Sequence, residues 1–220
     1  MDMDPREVAF FGRITAAFTH EMKNVLAIIK ESAGLMEDLL ALSQNAAFPH
    51  QERFVRSLAT IEAQAKRGIE LSNRLNRFAH SPDEALATVD LNELLEQVVF
   101  LSERFARLKR VTLSLNPSAN PLPVITSPVG LQMTVFSFLE CCWAGMAEGG
   151  NISLSVAHNG NDAVISFACQ GGADFEEDLA RRVVDSEAGL ALKQIAKHSN
   201  CRIECGPSMA SFDLILAIAG

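Results

Sequence analysis

Two heptad rows of apolar residues run through the first forty positions: Phe11, Phe18, Val25 and Leu39 in one, Ile14, Ile28, Leu35 and Leu42 in the other. That spacing predicts a long amphipathic helix with a bundle-forming seam. Asp4 and Pro5 suit an N-cap and a first helical position, and the pattern carries on to about Ser43. Residues 45–51, with Pro49, read as a connection. Phe54, Leu58, Ile61, Ala65, Leu75 and Phe78 then predict a second helix over 52–79. Two antiparallel helices of this length do not enclose a core alone. The economical solution is a homodimer whose two hairpins form a four-helix bundle.

The periodicity changes after residues 81–88, a polar stretch containing Pro82. This divides the chain into a hairpin (1–80), a linker (81–89) and a second domain (90–220). In the second domain, residues 91–108 read as a helix, 111–115 as a strand, and 117–123 as a stiff loop before a short apolar run at 124–126. Residues 128–146 read as a buried helix ended by Gly149-Gly150. Strands follow at 151–157 and 163–169, joined by the hairpin turn His158-Asn159-Gly160-Asn161. Helices over 174–184 and 189–198 and strands near 202–205 and 212–217 complete an α+β sandwich with a mostly antiparallel sheet.

Composition narrows the possibilities. A chain of 220 residues with 48% apolar content suffices for two small domains. A net charge of −8 argues against nucleic acid as a partner. No apolar run reaches the length of a membrane span, and the first ten residues lack a signal-peptide pattern, so the expectation is a soluble, cytoplasmic chain with no membrane partner. Cysteines 141, 142, 169, 201 and 205 are an odd number in apolar or strand-like surroundings, which favours free thiols. Cys201 and Cys205, with His198 nearby, invite a metal reading, but nothing close by completes a four-ligand zinc site.

His20 is the candidate reactive group. It lies off both heptad rows, about 150° from the middle of the apolar stripe, so its imidazole should face water, with Asn24 one turn on near the same face. A free-base imidazole is a nucleophile at neutral pH. Glu21 can orient one ring nitrogen, Lys23 offset phosphoryl charge, and Asn24 position a water or the incoming group. Taken alone, these residue types also fit an ordinary solvent-facing histidine on a charged helix.

The run Thr-His-Glu-Met-Lys-Asn-Val-Leu at 19–26 resembles the phospho-accepting box of sensor histidine kinases. That pattern is His, an acidic residue, an apolar residue, Lys or Arg, Asn or Thr, then usually Pro and Leu. Val25 replaces the usual Pro, so the helix should continue without a kink. The resemblance implies that His20 is phosphorylated, with Glu21, Lys23 and Asn24 as its catalytic neighbours, and that the hairpins dimerise as the periodicity suggests.

The second domain is similar, in element order and in Met146-Ala147-Glu148-Gly149-Gly150-Asn151-Ile152, to the ATP-binding domain of these kinases. Its nucleotide motifs match poorly. Ser137 and Cys141 stand where the family carries two Asn residues, the second helping to bind magnesium; a register shifted by one brings Glu140 instead. A thiol suits magnesium badly. Cys169-Gln170-Gly171-Gly172-Ala173 stands for Asp-x-Gly-x-Gly, and a cysteine is a weak acceptor for an adenine amino group. Of the phosphate-binding Gly-x-Gly only Gly189 survives, beside Glu187, and the short lid-like segment holds Asp174, Glu176, Glu177 and Asp178.

A phospho-acceptor kept and an ATP site discarded resembles the histidine phosphotransferases built on a degenerate kinase scaffold. The resemblance implies that His20 exchanges phosphoryl groups with aspartates of response-regulator receiver domains. No cofactor is expected on this chain, since magnesium would come with the receiver. A hybrid histidine kinase is a further possible partner. Receivers are expected to dock beside His20 across Met22, Leu26, Arg74 and Arg77. Two other readings stay open: an active ATP-dependent histidine kinase or phosphatase with an atypical nucleotide site, and a non-catalytic dimeric scaffold that binds a kinase or receiver. For the second domain, an unrelated α+β fold whose glycines only make turns also stays open.

Overall fold

The computed structural model describes residues 5–42, 50–146, 148–171, 175, 187–198, 201–206 and 211–218. They form helices α1 (Pro5–Leu42), α2 (Gln51–Ala79), α3 (Leu91–Leu108), α4 (Pro128–Gly145) and α5 (Glu187–His198). The strands are β1 (Ala87–Asp90), β2 (Thr112–Asn116), β3 (Pro123–Thr126), β4 (Asn151–Asn159), β5 (Asp162–Gln170), β6 (Cys201–Cys205) and β7 (Ser211–Ala217). The chain divides into two compact units, Ala9–Ala79 and His80–Gly220 together with Met1–Val8. No described helix is long and apolar enough to cross a membrane.

In the first unit α1 and α2 pair antiparallel. Phe78 packs against Phe10 and Phe11, with ring centroids 5.5 and 4.5 Å apart. Further along, Arg67 meets Glu21 at 2.8 Å and Gly68 lies against Val25 and Met22. These contacts fix the register, so that a residue of α1 faces the residue of α2 whose number makes a sum near 90. Ile14, Phe18, Val25 and Leu39 are buried in the seam as expected, but Leu35 is 46% exposed and falls outside it. Ala17 and Glu21, which belong to neither row, are buried in the seam as well.

The second unit has two layers. Its main sheet runs β2-β4-β5-β7-β6, antiparallel except for the parallel β2–β4 pair. Alternation decides which face is core. Ile152, Leu154 and Val156 of β4 stand opposite Cys169, Phe167 and Ile165 of β5, and Phe167 in turn opposite Phe212 of β7. All are buried, whereas Ser153, Ser155 and Ser166 face the other way and are partly exposed. The helices supply the second layer: Phe138 of α4 packs on Phe167 and Phe212, with centroids 4.2 and 5.3 Å away. Each such fully buried ring contributes about 1.5–3 kcal/mol through the hydrophobic effect.

Local signals set the element ends. Asp90 caps α3 by accepting from the Asn92 N–H at 2.8 Å, and Ser127 caps α4, where Pro128 occupies the first turn. Gly160, at φ 65°, makes the two-residue turn between β4 and β5. One stretch departs from expectation. Residues 87–89, read as linker, form β1 together with Asp90 and pair with β3, and the buried hydroxyl of Ser81 bonds the Gln132 side chain at 3.1 Å. The polar composition of 81–89 hid this because its partners come from far along the chain, 33 to 39 positions later for β1 and 51 for Ser81. The helix expected over 174–184 lies outside the described residues apart from Phe175, which is helical.

Candidate functional site

His20 sits in the middle of α1 and is exposed. Asn24, one turn on, brings its side-chain nitrogen to 3.3 Å from His20 Nδ1. An amide NH2 group can only donate, so in this orientation Nδ1 accepts and the ring proton lies on Nε2. Turned about its Cβ–Cγ axis, the same amide presents Oδ1, accepts from Nδ1–H and leaves the Nε2 lone pair available. The second arrangement is the one that equips Nε2 as a nucleophile. Lys23 is exposed on the solvent side.

Glu21 lies elsewhere on the helix. Its side chain is only 9% exposed and points into the seam, where Oε2 accepts from Arg67 Nη2 at 2.8 Å. The described contact at His20 Nδ1 is with Asn24.

Of the expected docking residues, Met22 and Leu26 lie on another flank of α1 than His20, whereas Arg74 lies on its side of the hairpin. At 100° per residue, Leu26 lies about 120° around α1 from His20, and Met22 is turned toward the same flank as Leu26, its sulfur near Gly68. On α2, the register puts Arg74 level with residues near 15 and Arg77 near 12, about 7 and 12 Å along the axis from His20. Arg74 Nε is held by Glu70 Oε1 at 2.6 Å. The α2 residues level with His20 are Arg67 to Glu70. Because angular sense reverses between antiparallel helices, Ala63, Arg67 and Arg74 lie on the same side of the hairpin as His20, whereas Leu58, Ala65 and Ile69 lie on the side of Leu26.

The positions corresponding to nucleotide motifs are mostly interior. Cys169 is 3% exposed, and its sulfur stands 3.3 Å from that of Cys142, which is fully buried. Burial, together with the neighbouring Cys169, pushes the Cys142 thiol well above its usual range. Cys141 is buried and pushed up by desolvation and, less, by the Glu140 carboxylate. Ser137, four residues earlier on α4, is partly exposed. At the end of β5, Gly171 leaves room for Phe175, since a β-carbon there would come within 2.7 Å of its ring. Gly189 is buried in the first turn of α5. The side chains of Asp174, Glu176, Glu177, Asp178 and Glu187 lie outside the described residues.

Cys201 is buried and Cys205 exposed, four residues apart on β6. At about 3.3 Å per residue they stand about 13 Å apart, too far to share one ion. Burial raises the Cys201 thiol to about 12.

No protein-family model and no curated protein matches the chain. Among solved structures it is similar to the Acinetobacter baumannii histidine kinase AdeS, at 14% identity and TM-score 0.49, over 91% of this chain and 98% of that one. A histidine kinase from Burkholderia phymatum gives 14% identity and TM-score 0.48, over 90% of this chain and 99% of that one. Histidine kinase ThkA in complex with the response regulator TrrA gives 15% identity and TM-score 0.49, over 96% of this chain and 63% of that one. At these identities and scores the likenesses carry no argument.

Sequence reasoning missed Arg67 as the partner of Glu21. It is one of several arginines on a charged helix, and only the hairpin register singles it out. A second omission had a legible signal: Met22, Leu26, Ile29, Ala33, Met36 and Leu40 follow a 4-3-4-3-4 spacing along α1. Leu26 and Leu40 in that row are 58% and 55% exposed.

Proposed function

We propose that the chain is a histidine phosphotransferase of a two-component phosphorelay. His20 accepts a phosphoryl group from a receiver-domain aspartate and yields it to another, without ATP. The observation that carries this reading is the exposed His20 in contact with Asn24 in the hairpin, set against the buried thiols at nucleotide-motif positions in the sheet domain.

The chemistry asks little of the protein beyond position and charge. Nε2 attacks the phosphorus of an aspartyl phosphate, and a P–N bond forms as the P–O bond to the carboxylate breaks. The carboxylate leaves on the receiver, and the Nδ1 proton, held by Asn24 Oδ1, is released to solvent. The reverse sequence delivers the group to a second receiver. Access supports the reading: Ala16, Ala27 and Ala63 are exposed on His20's side of the hairpin, so no bulky side chain at these places shields the ring from a macromolecular partner.

Lys23 supplies positive charge near the ring. Magnesium belongs to the receiver's own acidic pocket, and a buried Cys141 thiol is a poor substitute for the hard oxygen ligand the metal wants. The sulfur of Cys169, turned to Cys142, is likewise unsuited to reading a base.

A homodimer fits the same geometry. The row Met22, Leu26, Ile29, Ala33, Met36 and Leu40 and the exposed Leu58, Ala65 and Ile69 of α2 together give an apolar side opposite His20. A second copy covering that side makes a four-helix bundle and leaves both histidines outside. Receivers then approach over the His20, Asn24 and Arg67 side, in the cytoplasm where such domains reside.

The test is to incubate the chain and its His20→Ala variant with a receiver domain carrying labelled phosphoryl. Acid-labile label on the chain, absent from the variant, is expected. Label that persists on the variant, or none on either, would overturn the reading.

A further inference from the structure

The geometry points to Arg67 as a catalytic residue: the cation on α2 that contacts the phosphoryl group carried by His20. This rests on His20 being the phosphorylated residue and goes beyond it by completing the site across two helices.

Three observations converge on Arg67. First, the register places it level with residues 21–23, between His20 and Asn24, and helix handedness puts it on their side of the hairpin. Second, its guanidinium is held at one corner. Nη2 donates to Glu21 Oε2 at 2.8 Å, and the carboxylate is buried to 9% exposure, while the arginine side chain is 48% exposed. A guanidinium carries five N–H donors in a rigid fork, so a nitrogen tied to Glu21 leaves others for phosphoryl oxygens. Third, the other cations nearby are less well placed. Lys23 points away from α2, and Arg74 is held by Glu70 about 7 Å further along the axis.

This gives Glu21 a different task from the one its neighbour His20 suggests. Its buried carboxylate orients Arg67 before any phosphoryl group arrives. A cation already in position meets the developing charge with little reorganisation, which is where electrostatic stabilisation is most effective.

Phosphoramidate tests this without a protein partner. His20 Nε2 attacks its phosphorus, the P–N bond to ammonia breaks, ammonia leaves, and the Nδ1 proton passes to solvent. The rate of phosphohistidine formation on the full chain is followed by 31P NMR. Arg67→Gln should slow it about tenfold, as expected for losing one charge-assisted hydrogen bond. Arg67→Lys should recover part of the loss.

The Glu21→Gln/Arg67→Gln double variant separates this role from a structural one, because it removes the buried carboxylate that loses its Arg67 ion pair in Arg67→Gln. It should remain as slow as Arg67→Gln. A double variant as fast as wild type would mean that Arg67 only neutralises Glu21, and an unchanged rate in Arg67→Gln would also sink the inference. If wild-type His20 takes phosphoryl from neither phosphoramidate nor a receiver, the phospho-acceptor reading falls and this inference with it. Equal rates in wild type and Arg67→Gln would remove the role of Arg67 alone.

Discussion

His20 in the hairpin and Cys169 in the sheet domain each stand at the defining position of a motif that resembles a kinase motif, and their surroundings are opposite. His20 is exposed, bonded to a neighbour one turn away, and flanked by small side chains. Cys169 is buried, its sulfur against Cys142 in a core built by α4 and the sheet. An acceptor histidine must meet a partner, so it belongs on a surface. A base-reading carboxylate must border a cavity, and once cysteine replaces it the site can close into packed core. On the proposed reading, the hairpin does the chemistry and the sheet domain is kept for its fold.

Restoring the acid at the sheet position is the largest way to break this contrast. Cys169→Asp should cost about 3 kcal/mol or more, as an uncompensated buried carboxylate does, and urea denaturation should report it. If the position instead borders an open nucleotide cavity, the variant will be nearly as stable as wild type.

Alkaline pH probes the same burial at Cys201. Its folded-state value of about 12 exceeds the ordinary 9.0, so the unfolded chain loses this proton first. The stabilising difference is present in full below pH 9 and is lost as pH rises toward 12. Between pH 8 and 10.5 this amounts to about 2 kcal/mol. Denaturant midpoints at the two pH values should show the drop, and Cys201→Ala should lack this part of it.

A smaller effect sharpens the hairpin side. Asn24→Leu removes the partner of Nδ1 and should slow phosphoryl acceptance about tenfold. Asn24→Asp keeps an acceptor for Nδ1–H and should retain most of the rate. Nitrogen chemical shifts of His20 should report the Nδ1–H tautomer in wild type and in Asn24→Asp, and a mixture of tautomers in Asn24→Leu.

Much of the fold was legible because it follows from short-range rules. The heptad rows marked α1, the helical spacing from Phe54 to Phe78 marked α2, and Gly160-Asn161 marked the turn between β4 and β5. The capped start at Ser127-Pro128 lies where α4 was expected. What stayed hidden depends on long-range register. β1 pairs with residues about 35 positions later, and Arg67 meets Glu21 only through the antiparallel packing of two helices. Glu21 shows why adjacency misleads: one residue along a helix is a 100° turn, enough to carry a carboxylate from solvent into the seam. Met22 and Leu26 were grouped with His20 for nearness in sequence, and the same turn places them on another flank.

The most direct measurement offers both donors to the same protein: γ-labelled ATP with magnesium in one arm, a phosphorylated receiver domain in the other, each with wild type and His20→Ala. The account predicts acid-labile label from the receiver onto wild type only, and none from ATP. Label from ATP on His20 would contradict it, because a sheet domain whose motif positions are core could not then be without a nucleotide site.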